Sequence, residues 1–155
     1  MPIIDVNVNG FLNIMVPAFN YFVDRASRVS SGSEAKATEK PQLVTISSVA
    51  SIRGLAPTPS YSATKRFQTI YFEALEQKAH KIGLEISFTS IIPGFIATDF
   101  INRKYPFTMQ LAYAVKRITR AIEKRKRVAV IDWRWRIIVF IMRLIPSCLW
   151  QRLPI

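Results

Sequence analysis

Residues 46–67 read ISSVASIRGLAPTPSYSATKRF, and this stretch decides the fold. It opens on the end of LVTISS, Leu43–Ser48, a short apolar run rich in β-branched residues and typical of a buried strand. Gly54, Pro57 and Pro59 then mark a loop. Ser60 or a neighbour is placed to cap a helix that runs to about Ile82, with Gly83 as its stop signal. Within that helix Tyr61 and Lys65 stand four residues apart, on one face. A free tyrosine holds its proton to a pH of roughly 10, and a neighbouring ammonium stabilises the phenolate. Such a pair is chemically suggestive but also common as an ordinary exposed helical pair. Ser48 changes the weighting, because it lies at the end of the preceding strand. Side chains at the carboxyl ends of parallel strands face the ligand crevice.

Beyond this helix LEISFTSII (Leu84–Ile92) is a second apolar strand, halted by Pro93-Gly94, with Thr98 four residues past the glycine. A helix is expected from about Met109 to Lys126, and VAVID (Val128–Asp132) is a third strand. The remainder is an apolar helix flanked by Trp and Arg and broken by Pro146. On the amino side, Ile14, Met15, Ala18, Phe19 and Phe22 recur with a helical period, and Pro17 predicts a kink or a late start. Residues 24–42 are polar and read as an exposed loop. Strands are expected at 43–47, 85–92 and 128–132. Their alternation with helices implies an α/β architecture, a parallel sheet covered on both faces.

Half of the 155 residues are hydrophobic, which excludes a disordered chain. The charge is unevenly placed. Residues 116–155 carry 11 basic and 2 acidic side chains, whereas residues 1–115 carry 11 and 8. The basicity therefore belongs to one region. Cys148 is the only cysteine, so no intrachain disulfide forms, and it reads as a small buried hydrophobe. A cytoplasmic location is the default. His80 is the only histidine and sits among helix-surface lysines, which leaves no zinc cluster of the usual kind.

Residues 46–67, then SIIPGFIATDF (90–100) and the upstream DVNVNGF (5–11), resemble the short-chain dehydrogenase/reductase family. The resemblance spans roughly residues 3–132. It implies a partial Rossmann-like, doubly wound sheet made of the last three strands and their helices. It also implies an oxidoreductase that moves hydride between NAD or NADP and an alcohol or carbonyl substrate. By this similarity Tyr61 donates or accepts the hydroxyl proton, and Ser48 binds the substrate oxygen. Lys65 stabilises the phenolate and bonds the nicotinamide ribose. Asn7 positions a water that relays protons from Lys65, although Asn9 and Asn13 lie close enough to compete. Pro93, Gly94, the backbone of Ile96, and Thr98 orient the carboxamide.

The chain departs from the family in one respect. Its five glycines, Gly10, Gly32, Gly54, Gly83 and Gly94, are nowhere close together, so no glycine-rich turn for a pyrophosphate is found in it. The expectation is a chain whose N-terminal half is missing and which is inactive by itself. The alternative is a non-catalytic half fold that self-associates or binds a membrane surface. Residues 133–155 are expected to form a separate basic, Trp-flanked amphipathic helix following the half domain of residues 1–132. Its tryptophans and arginines suit the headgroup region at the inner face of a membrane. Packing against protein is the competing account. The apolar run Ile137–Met142 argues against a nucleic-acid groove.

Overall fold

In the computed structural model, which describes residues 2–35, 38–98 and 105–153, the three apolar runs are strands. They are Gln42–Ile46 (β1), Ser87–Pro93 (β2) and Val128–Ile131 (β3), all parallel, in the order β1-β2-β3. Leu43 lies opposite Phe88, Ile46 opposite Ile91, and Pro93 opposite Ile131. The central strand is buried from Phe88 onward, which is why it reads as one apolar run rather than an alternation. It ends on Pro93, whose ring leaves no N–H to continue the ladder. Among the described residues no further strand pairs with the outer edge of β1 or β3.

Helices cover both faces. On one, α2 (Phe11–Ser30) and α3 (Pro59–Lys81) bring Met15, Phe19, Phe72 and Leu75 onto Leu43 and Phe88. The Phe72 and Phe88 rings meet edge to face at 5.1 Å. On the other, α4 (Leu111–Glu123) and α5 (Trp133–Leu144) pack Ala114, Ala121, Trp135 and Val139 with Ile91, Ile92 and Ile131.

The amino-terminal helix differs from expectation at both ends. A three-residue α1 (Pro2–Ile4) leads through a π-helical turn, Asp5–Gly10, directly into α2. The irregularity thus sits upstream of Pro17, which is accommodated within the helix. At the other end α2 runs to Ser30, through residues whose polarity reads as loop. Arg25 and Arg28 there both grip Glu34, at 2.7 and 2.9 Å, and Gly32 turns the chain with φ of +74°. By length and composition the helix from Pro2 to Ser30 is apolar enough to cross a membrane, yet its Met15 and Phe19 lie in the core.

The other boundaries have local causes. Thr58, not Ser60, precedes α3 and makes no side-chain cap; Pro59 starts the helix with φ already suited to it. Helix α4 is shorter than expected, because Met109 pairs with Ile96 and Arg125 adopts φ of +49°. Pro146 ends α5, and α6 (Ser147–Trp150) follows. Cys148 on α6 is exposed, correcting its reading as a buried hydrophobe: the helix is too short and too peripheral to bury it.

Helices α5 and α6 are tied to the sheet and its loops. Asp132 caps α5, accepting from the Arg134 N–H at 2.9 Å and from its guanidinium at 2.6 Å, with φ of +75°. Arg134 beside it holds the Asp132 carboxyl below the usual carboxylate range. At the far end Arg53 donates to the carbonyls of Met142 and Ile145 and so satisfies the last turn of α5.

Candidate active site

The carboxyl end of β1 delivers Ser47 and Ser48 into a 3-10 turn, Val49–Ser51. The two serines divide the work. Ser47 faces α3, bonding the Lys65 carbonyl at 3.2 Å and the Thr69 hydroxyl at 2.9 Å. Ser48 caps the turn, accepting from the Ala50 N–H at 3.1 Å, and keeps its own proton to donate. The loop that follows is stitched to the start of α3. The Leu55 N–H donates to Ser62 at 3.3 Å, and Arg66 reaches the Ser51 carbonyl at 3.4 Å.

Tyr61 lies half-buried in the first turn of α3. One turn on, the Lys65 ammonium sits 5.9 Å from the centre of the Tyr61 ring. It donates to the Ile46 carbonyl at 3.1 Å and to Gln68 Oε1 at 3.0 Å, so it lies at the end of β1. Burial lowers the Lys65 pKa from the ordinary lysine value.

The three candidate asparagines are distinguished by their partners. Asn7, in the π-turn, donates from Nδ2 to Thr64 Oγ1 at 3.1 Å, and Thr64 in turn donates to the Tyr61 carbonyl at 2.9 Å. The Asn7 main-chain carbonyl accepts from Gln68 Nε2 at 2.7 Å. A π-turn shifts backbone pairing and lets a carbonyl leave the helical ladder. Asn9 instead bonds Asp5 at the surface, and Asn13 is exposed.

The next strand ends beside these groups. A side chain at Gly94 would overlap the Trp135 indole, so glycine is required here by close approach. Phe95 stacks on Tyr105 at 4.2 Å and meets Trp135 edge-on at 5.4 Å. Ile96 forms a single bridge with Met109 through the Phe95 carbonyl and the Ala97 N–H, both at 2.8 Å. That pattern turns the N–H and C=O of Ile96 itself away from Met109. Thr98 is exposed. A cleft of about 530 Å³ between Arg25, Lys40 and Glu85 opens at the amino ends of β1 and β2, the opposite end of the sheet.

Three participants escape sequence reasoning. Thr64 and Gln68 act through contacts with a segment more than fifty residues away, which no local pattern encodes. Trp135 reads as a headgroup anchor but is buried on Gly94. The Lys65 ammonium and the Ser48 hydroxyl, both able to donate, lie at the carboxyl end of β1.

The short chain dehydrogenase family model matches residues 1–107. An uncharacterized oxidoreductase of Myxococcus xanthus is 26% identical over 152 residues, covering 96% of this chain and 54% of that protein. Among solved structures, a short chain dehydrogenase from Burkholderia cenocepacia in complex with NADP superposes with a TM-score of 0.70 at 20% identity. It is matched over 97% of this chain and 56% of its own. A short-chain dehydrogenase from Sphingobium yanoikuyae in complex with NADPH gives 0.61 at 21% identity, over 93% and 56%. The chain thus spans about half the length of these relatives. The two structural likenesses establish the fold: a three-stranded part of a Rossmann-like sheet.

Proposed function

The chain belongs to the short-chain dehydrogenase family, and from that membership we propose that residues 1–155 supply the proton-handling part of a nicotinamide-dependent oxidoreductase. The observation that carries this reading is that Asn7 is tied through Thr64 and Gln68 to the helix carrying Tyr61 and Lys65, with the Lys65 ammonium at the end of β1 that leads to Ser48. In the reductive direction Tyr61 gives its hydroxyl proton to a substrate carbonyl oxygen, which Ser48 holds by donating to it. In the oxidative direction the same proton returns from the alcohol to the phenolate. Lys65 keeps a positive charge beside the phenol and presents donors to a ribose hydroxyl. The exit from β2, through Pro93, Gly94, Ile96 and Thr98, orients the carboxamide. The cofactor, NAD or NADP, supplies or receives the hydride. Both solved neighbours hold the phosphorylated form.

Residues 1–155 hold no cluster of glycines of the kind that cradles a pyrophosphate. These residues alone are therefore expected to bind cofactor weakly and to turn over no substrate. The test is a titration of NADH and NADPH. It should give no saturable micromolar binding by residues 1–155, and recovered binding when a strand, glycine-rich turn and helix are joined ahead of them. Saturable micromolar binding by residues 1–155 would contradict the expectation.

A second reading is favoured by α5. Its inner side chains, Trp135, Ile138, Val139 and Met142, pack on the domain. Its outer ones, Trp133, Ile137, Phe140, Ile141 and Leu144, are exposed, with Phe140 at 63% and Leu144 at 65%. Arg136 and Arg143 flank them. An apolar ridge with cations beside it suits an anionic membrane surface, to which each cation contributes on the order of 1 kcal/mol. In this reading the protein is cytoplasmic and peripheral to the inner face of a membrane. The open edge of β1 is where a second copy would pair. Salt-sensitive sedimentation with phosphatidylglycerol vesicles, absent with phosphatidylcholine, is expected. Equal sedimentation after removal of residues 133–155 would rule the tail out.

A further inference from the structure

We propose that Gln68 is a positioning residue for Lys65, its side-chain amide spanning from the ammonium to the Asn7 main-chain carbonyl. The inference rests on the reading of Lys65 as part of the proton-handling site. Gln68 is 6% exposed, so both ends of its amide need partners. The two partners fix its orientation without ambiguity. A lysine ammonium only donates, so it must face Oε1, at 3.0 Å; a carbonyl only accepts, so it must face Nε2, at 2.7 Å. The amide therefore cannot flip without leaving both contacts wrong.

The bridge has a second fixed point. Asn7 is also held through its own side chain, which bonds Thr64 one residue before Lys65. The π-turn is thus clamped to α3 at Thr64 and at Gln68, on either side of Lys65. A direct amide link at this place fixes the ammonium with respect to both Tyr61 and the end of β1. It also differs from a water link: a water can rotate and pass a proton along, whereas an amide held at both ends serves as a strut.

Within one turn of Lys65 on α3 the charged or titratable groups are Tyr61 and Arg66; the π-turn carries Asp5, and β1 carries none. None of them is altered by changing Gln68. The test follows the lysine directly. In protein carrying lysine labelled with carbon-13 at Cε, the Lys65 resonance is assigned by its loss in Lys65→Arg and followed through its pH titration. Gln68→Glu, which keeps the shape, sets a carboxylate against the ammonium. It should raise the proton affinity of Lys65 about tenfold or more, as an opposite charge at hydrogen-bond distance does. Gln68→Leu removes the acceptor and should lower that affinity. Opposite shifts in the two variants support the bridge. A Lys65 titration unchanged by Gln68→Glu overturns it, and the Leu variant is read the same way should the Glu variant fold poorly. The readout needs no turnover, so inactivity in protein that also carries a glycine-rich nucleotide-binding half would defeat the catalytic reading and leave the bridge standing.

Discussion

The carboxyl end of β1 and the helix α5 are held by different forces. Around Ser47, Thr64, Lys65 and Gln68 the side chains are tied by hydrogen bonds. Helix α5 is held mainly by ring and methyl contacts along one side, with polar ties at Asp132, at Arg53 and from the Trp135 indole N–H to the Phe107 carbonyl. Directional bonds set atoms at distances that chemistry can use. Apolar contacts set a helix on a surface and leave its other side to serve as a second surface.

This contrast can be broken in graded steps. The largest loss of stability is expected from Trp135→Ala, which empties the space between Gly94, Phe95 and Phe107. A loss of about 3–5 kcal/mol in urea unfolding is expected, as for other large-to-small core changes. Thr64→Val comes next. It leaves the Asn7 amide without its acceptor and should cost about 1–3 kcal/mol. Asp132→Ala removes the α5 cap and should cost about 1 kcal/mol.

Asp132→Asn sharpens that result through pH. The native carboxyl is held below its ordinary value by Arg134, so its contribution is full above the unfolded carboxylate pKa of about 3.9. It is lost as pH falls through the lower native value. The stability advantage of the native protein over Asp132→Asn, followed by thermal unfolding, should therefore be steady near neutrality and shrink below about pH 4. The smallest change in stability, within about 0.5 kcal/mol, is expected for Phe140→Ser on the outer side of α5. The same substitution should weaken sedimentation with anionic vesicles.

The sequence carries the directional region better than the apolar one. The three strands are legible because each is a short apolar run that includes β-branched residues. Tyr61 and Lys65 are legible as neighbours because one helical turn separates them. Asn7 is legible only through family resemblance, since its tie to Thr64 and Gln68 depends on how two helices lie across each other. The tail misleads because it is apolar on both sides. Its period gives no inward face, so Trp135 and Trp133 look alike, although one is buried on Gly94 and the other is 60% exposed. Polar residues 24–30 mislead in the opposite sense. An exposed helical surface and a loop share the same composition, and the grip of Arg25 and Arg28 on Glu34 appears only in three dimensions.

In the proposed function the hydrogen-bonded end of the sheet moves a proton, while a glycine-rich half holds the pyrophosphate of the cofactor. Tyr61→Phe, made in protein that also carries a glycine-rich nucleotide-binding half, tests it by removing only the phenolic hydroxyl. Steady-state turnover of a carbonyl substrate with NADPH, measured beside NADPH affinity, should fall about 10²–10⁴-fold with the affinity nearly unchanged. Turnover equal to that of the unsubstituted protein would contradict the account.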